Sequence, residues 1–294
     1  MSNFRLFVLV SLFLSLFWAA PIRADEPLRV VVSFSVLEDL VKQVGGKDVE
    51  VTSLIPMGGE PHDWEPRPYD IAELAGADLV VVNGLGLEGW LDRLIAASGY
   101  DGPVLVASRD VDVLLDATGA PDPHAWHSPV AVGLYARAIA AALVELRPGQ
   151  ADAFDANLGG FLAALDKVDM WARDKIAAIP PERRVIVTSH DAFAWLGRDY
   201  GIRILSPVGL DSTAQPSAKR LGELVAEIRA IGVRSVFLEA GGDPRLAQVL
   251  AEEAGVVVGA PLYVGTLTPE CDAAAEYLSM WRYNFVEILR AMSL

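Results

Sequence analysis

All four histidines of the 294-residue chain fall in three short segments whose composition suits a metal ion. His62 lies in Gly-Gly-Glu-Pro-His-Asp-Trp-Glu-Pro, His124 and His127 in Asp-Pro-His-Ala-Trp-His-Ser-Pro, and His190 in Val-Ile-Val-Thr-Ser-His-Asp-Ala-Phe. Each segment reads as a loop or a strand end. Imidazole is a good ligand for zinc and its first-row neighbours, so imidazoles converging from separate loops make a site. A single histidine taken alone reads more simply as a satisfied core or surface residue. Proline beside His62 and His124 restrains their loops before the metal arrives, and His190 stands at a strand end, so the three settings together favour the joint reading of His62, His124 and His190. Asp63, Asp122 and Asp191 flank these residues and suit either imidazole N–H groups or helix caps. Trp64, Trp126 and Trp195 read as packing around the histidines.

The elements that must position these residues alternate between strand and helix. Apolar, β-branched runs at 28–34, 49–55, 77–83 and 104–107 read as strands, with helices at 36–44, 68–75, 87–97 and 128–145. The second half repeats the pattern, with strands at 184–188, 203–206, 235–239 and 256–258 and helices at 192–200, 217–231, 244–254 and 274–292. Near-continuous apolar strands between helices predict parallel sheets covered on both faces. Ligands then collect beyond the carboxyl ends of the strands. Between the halves, apolar residues recur at mostly three- and four-residue steps from Phe154 to Ile176. They predict one helix over 150–179, about 40 Å long at 1.5 Å per residue, stopped by Pro180-Pro181.

Residues 1–24 read as a secretory signal peptide: Arg5 precedes an apolar run over 6–20, and a small residue stands at Ala24. The expected division is therefore a signal peptide at 1–24, a first lobe at 25–149, a linking helix at 150–179 and a second lobe at 180–294. No cysteine lies near the cleavage site, so the mature protein is expected to be soluble, unlipidated and periplasmic. The formal charge is −15, and loss of Arg5 and Arg23 with the leader takes it to −17. So acidic a chain is unsuited to nucleic acid. The single Cys271 excludes an intramolecular disulfide and a cysteine-rich zinc knuckle.

The three histidine segments strongly resemble those of the zinc/manganese ABC-transporter solute-binding proteins. The stretches Ala-Asp-Leu-Val-Val-Val-Asn-Gly-Leu-Gly-Leu-Glu at 77–88, Gln-Pro-Ser-Ala at 215–218 and Val-Phe-Leu-Glu at 236–239 extend the likeness, in order, across 28–294. The resemblance implies an α/β fold of two Rossmann-like lobes joined by one long rigid helix, with the metal between them. It implies a periplasmic binding protein, not an enzyme, that delivers its ion to the membrane permease of an ABC importer. By position, His62 and His124 would be first-lobe ligands and His190 a second-lobe ligand. A third imidazole in place of the carboxylate common in manganese members favours Zn2+ over Mn2+. The chain departs from the family at Leu-Tyr-Val-Gly-Thr-Leu, 262–267, where Gly265 replaces an aspartate ligand. An open site completed by water, with Glu60 close by, is the favoured expectation; Glu60 is the best side-chain candidate for the fourth ligand, ahead of His127, Glu239 and Asp272. The chain also lacks the long His-rich loop of many zinc members, so a periplasmic zinc chaperone becomes a candidate partner of what is expected to be a monomer. Two readings compete: a manganese- or iron-binding member of the same family, and a secreted zinc hydrolase with Glu60 as general base. Against the hydrolase, the chain has no His-Glu-x-x-His helix and no evident nucleophile motif.

Overall fold

A computed structural model describes residues 26–270 and 272–293; the leader expected at 1–24 lies outside them. The first half runs β1 (Leu28–Val32), α1 (Ser35–Gly45), β2 (Val49–Ser53), α2 (Pro68–Ala75), β3 (Leu79–Val82), α3 (Leu91–Ser98), β4 (Val104–Val106) and α4 (Pro129–Leu146). Its strands pair in the order β2-β1-β3-β4, every pair parallel. The second half runs β5 (Val185–Val187), α6 (Ala194–Tyr200), β6 (Arg203–Leu205), α7 (Ala218–Ile231), β7 (Ser235–Val236), α8 (Arg245–Ala254), β8 (Val257–Val258) and α9 (Tyr277–Ser293). Its order, β6-β5-β7-β8, repeats the first and is again parallel. In both sheets the strand order reverses beside the first strand, which opens a crevice at the carboxyl edge.

Between the halves lies α5 (Ala151–Ala177), the long helix expected from the apolar spacing. Phe154, Phe161, Leu165, Ala172 and Ile176 form its buried stripe, and it packs against α1, α4, α6 and α9. The larger apolar core does not stop at the boundary between halves. It runs from β1 and β3 through α4 and α5 into α6 and α9, where Trp281, Phe285 and Ile288 are fully buried. A separate, smaller core under the second sheet joins Val187, Leu224, Ile228, Val236 and Leu250.

Several elements differ from expectation for local reasons. The helix expected from 87 begins at Leu91, because Glu88 is occupied in holding the preceding turn. Its carboxylate accepts the backbone N–H groups of Asn83 (2.7 Å) and Gly84 (3.0 Å) and the Ser33 hydroxyl (2.8 Å). Leu85 in that turn takes the left-handed conformation, with φ 56°. The strand expected to 239 ends at Val236, and Glu239 instead forms an isolated parallel bridge with Leu262.

Candidate metal centre

His62 is fixed by a short 3-10 turn, Pro61–Asp63, in the connection between β2 and α2. Glu60 precedes this turn and accepts the His62 backbone N–H at 3.1 Å, while Pro61 supplies the restricted first position. Two contacts tie the connection to the second half. Gly58 N–H donates to Thr266 Oγ1 at 2.7 Å, and the Pro61 ring sits so close to Gly265 that an added Cβ would lie 2.8 Å from Pro61 Cγ.

His124 is held from both sides of its peptide. Asp122 Oδ1 accepts the His124 backbone N–H at 2.9 Å and pairs with the ring Nδ1 at 2.8 Å. Asn83 Nδ2 donates to the Pro123 carbonyl at 2.9 Å, and Trp195 Nε1 donates to the Asp122 carbonyl at 3.1 Å. Trp195 is thus a tether as well as packing. So is Trp126, whose indole N–H donates to the Val264 carbonyl at 2.7 Å. Trp64 remains a packing residue, against Trp90 at 4.5 Å between ring centroids.

His190 follows β5, and Glu239 follows the neighbouring β7 at the same sheet edge. Glu239 Oε1 pairs with His190 Nδ1 at 2.5 Å and accepts the Ser189 hydroxyl. Its role is to orient His190 through Nδ1, on the side of the ring away from the other histidines. A carboxylate on Nδ1 fixes the tautomer and presents the Nε2 lone pair, and Asp122 does the same for His124. His62 Nε2 lies 3.0 Å and His190 Nε2 3.3 Å from His124 Nε2. Two ligands about 2.05 Å from a tetrahedral zinc are separated by about 3.3 Å, so this spacing fits a common ion.

Among the described residues, His62, His124 and His190 form the group whose donor atoms all lie within 4.8 Å of one another. Glu60, Glu239, His127 and Asp272 are not in it. His127 is fully buried behind the site, packed at a tilt against Phe193 at 4.3 Å, with neither ring nitrogen hydrogen-bonded among the described residues. Gly265 lines the cleft in front of the histidines but offers no donor.

Burial, reinforced by the neighbouring His190 charge, lowers the pKa of His62 to about 4 and that of His124 well below its usual value. Both imidazoles are therefore neutral and able to ligate at neutral pH. Burial also acts against a charged His190, but the hydrogen bond and charge of Glu239 together outweigh it and raise its pKa. Burial raises Asp122 to about 7 and raises Glu60 as well. Sequence reasoning placed the histidines in one site but missed the orienting part of Glu239. The only signal for it was a carboxylate just past an apolar strand.

Residues 30–291 match the family described as zinc-uptake complex component A, periplasmic. The manganese-binding lipoprotein MntA of Halalkalibacterium halodurans is 31% identical over 269 residues, 91% of this chain and 89% of the relative. The manganese ABC transporter substrate-binding lipoprotein PsaA of Streptococcus pneumoniae is 27% identical over 92% of this chain and 90% of the relative. Among solved structures, the periplasmic zinc binding protein TroA from Treponema pallidum superposes with a TM-score of 0.86 at 26% identity, covering 90% of this chain and 99% of that one. These relatives overturn one expectation, that of a soluble, unlipidated protein, since MntA and PsaA are named lipoproteins. That expectation rested on a missing thiol near the leader alone.

Proposed function

The chain belongs to the family of the periplasmic zinc-uptake complex component A, and on that premise we propose that it captures zinc with His62, His124 and His190. The family consists of extracytoplasmic metal-binding proteins of ABC importers, which deliver ions to a membrane permease and are not enzymes. The hydrolase reading therefore falls away. What remains to be assigned is the ion and the residues that hold it.

The observation that supports zinc is the donor set: three imidazole nitrogens within 4.8 Å of one another, two of them 3.0 and 3.3 Å from the third, with no carboxylate among them. Nitrogen-rich sites bind zinc more tightly than manganese, whereas manganese favours oxygen donors. The relatives named for manganese are 27% to 31% identical, a distance over which a ligand set can change. Glu60 lines the cleft beside His62 and is the side-chain candidate for a fourth ligand where no exogenous ligand takes that position. We read residues 25–149 and 180–294 as the two lobes that bring His62 and His124 against His190, with 150–179 as the stiff connection. A monomeric state and supply of the ion by a periplasmic zinc chaperone complete the proposal.

Calorimetric titration of the wild type and of the three single alanine variants tests this directly. The wild type should bind one zinc per chain. His62→Ala, His124→Ala and His190→Ala should each lose about a hundredfold or more in affinity, at least the loss typical of removing an outer partner. If all three variants bind zinc at wild-type strength, the site lies elsewhere.

A further inference from the structure

The cleft that opens onto His62 and His124 is much larger than an ion needs. Its volume is about 660 Å³. An ion with six waters fills roughly 200 Å³ at about 30 Å³ per molecule, and clefts of about 300–1,000 Å³ usually take small organic ligands. One wall is apolar, formed by Val208, Leu221, Leu246 and Val249. A hydrated ion gains nothing from such a wall. Among glycines and neutral polar residues, the lining also carries three carboxylates, Glu60, Glu239 and Asp243, of which Asp243 is paired with Arg245. Three protein donors converge among the described residues, and tetrahedral zinc takes four ligands, with a fifth accessible. Gly265, beside the histidines, contributes no side chain.

Resting on the zinc-binding reading, we propose that the ion is held together with an α-amino acid. Its amine nitrogen and carboxylate oxygen complete the coordination sphere, and its apolar side chain lies on the wall of Val208, Leu221, Leu246 and Val249. Charge selects this class of ligand. Zinc with one aminoacidate keeps a single positive charge, which suits an acidic cleft, whereas a zinc–citrate complex is anionic and is repelled. On coordination the ammonium group releases a proton to solvent, its nitrogen and one carboxylate oxygen bind zinc, and the water that filled those positions leaves. Each half of the observation then has a use: the histidines hold the metal, and the oversized, half-apolar cleft holds its companion.

The test compares L-leucine with glycine, which offer zinc the same two donors. The wild type is first titrated with zinc alone, and the loaded protein is then titrated with each amino acid. Both should bind the zinc form, and neither should bind the metal-free form. Leucine should bind at least about tenfold more tightly, as partial burial of its side chain requires. Citrate should only strip the metal. Val249, 49% exposed on α8, can be changed without cutting into the core. Val249→Ser should narrow the difference between leucine and glycine, and an unchanged difference removes the wall from the proposal. Equal affinities for the two amino acids, or leucine binding without metal, overturn it. If zinc binds but leucine merely strips it, the companion ligand fails while zinc capture stands. If zinc alone does not bind, the zinc reading itself is lost.

Discussion

His190 carries the charge balance of the site. Ligation requires neutral imidazoles, so protons compete with the metal wherever a ligand titrates. His62, lowered to about 4, and His124, lowered well below its usual range, stay neutral down to acidic pH. His190, raised above its ordinary range by Glu239, is the first of the three to gain a proton as the pH falls. Zinc affinity should therefore fall by about one power of ten per pH unit once the pH is below the range in which His190 titrates, the dependence of a single proton, and steepen only near His62's range. Titrations from pH 8 down to about pH 4 measure the slope; a three-proton slope between pH 7 and pH 5 contradicts the assignment. Glu239→Gln keeps the shape but removes the charge. It should cost roughly 10- to 100-fold in zinc affinity by weakening the basicity and orientation of His190. Loss of binding as complete as in His190→Ala would instead make Glu239 a direct ligand.

At the scale of elements, the 262–267 segment and the Pro61–Asp63 turn meet across the cleft. From the sequence, Gly265 reads as a missing ligand that Gly265→Asp would restore. The contact with Pro61 alters that expectation, because an added Cβ would lie 2.8 Å from Pro61 Cγ. Gly265→Asp and Gly265→Ala should both displace the turn that carries His62 and lower stability by about 1–3 kcal/mol. Thermal unfolding of the pair separates crowding from ligation: a stabilised, tighter-binding aspartate variant beside a destabilised alanine variant would show that the carboxylate reaches the metal. The histidine loops were legible because proline and strand-end patterns are local. The Gly265 contact was not, since it joins residues about 200 positions apart. Glu239 was half legible: its position beyond an apolar strand marked it for the site, but ligand and orienting partner have the same local sequence. The α5 helix was legible in length, whereas its role as common support for α4, α6 and α9 depended on packing. Trp281, stacked on Phe285 at 5.0 Å and donating to the His127 carbonyl at 2.8 Å, belongs to that support. Trp281→Ala should cost about 3–5 kcal/mol in chemical denaturation.

For the whole molecule, two parallel sheets bring their carboxyl edges to one cleft while sharing most of a core. The repeated strand order was not readable from the alternation of elements, which fixes parallel pairing but not which strand lies beside which. The sharing of the core follows from the buried face of α9, which packs on α1 and α5 instead of closing only the second sheet. This construction puts His62 and His124 on one half and His190 on the other, so the proposed ion would bridge both. The central claim is that the bridge is made for zinc. An equilibrium competition, in which zinc and manganese are offered together to the wild-type protein and the bound metal is counted, tests it most directly. The account predicts one zinc per chain and no more than traces of manganese at equal free concentrations, as the order of affinities at nitrogen donors requires. Comparable occupancy by manganese, or its retention against zinc, would contradict it.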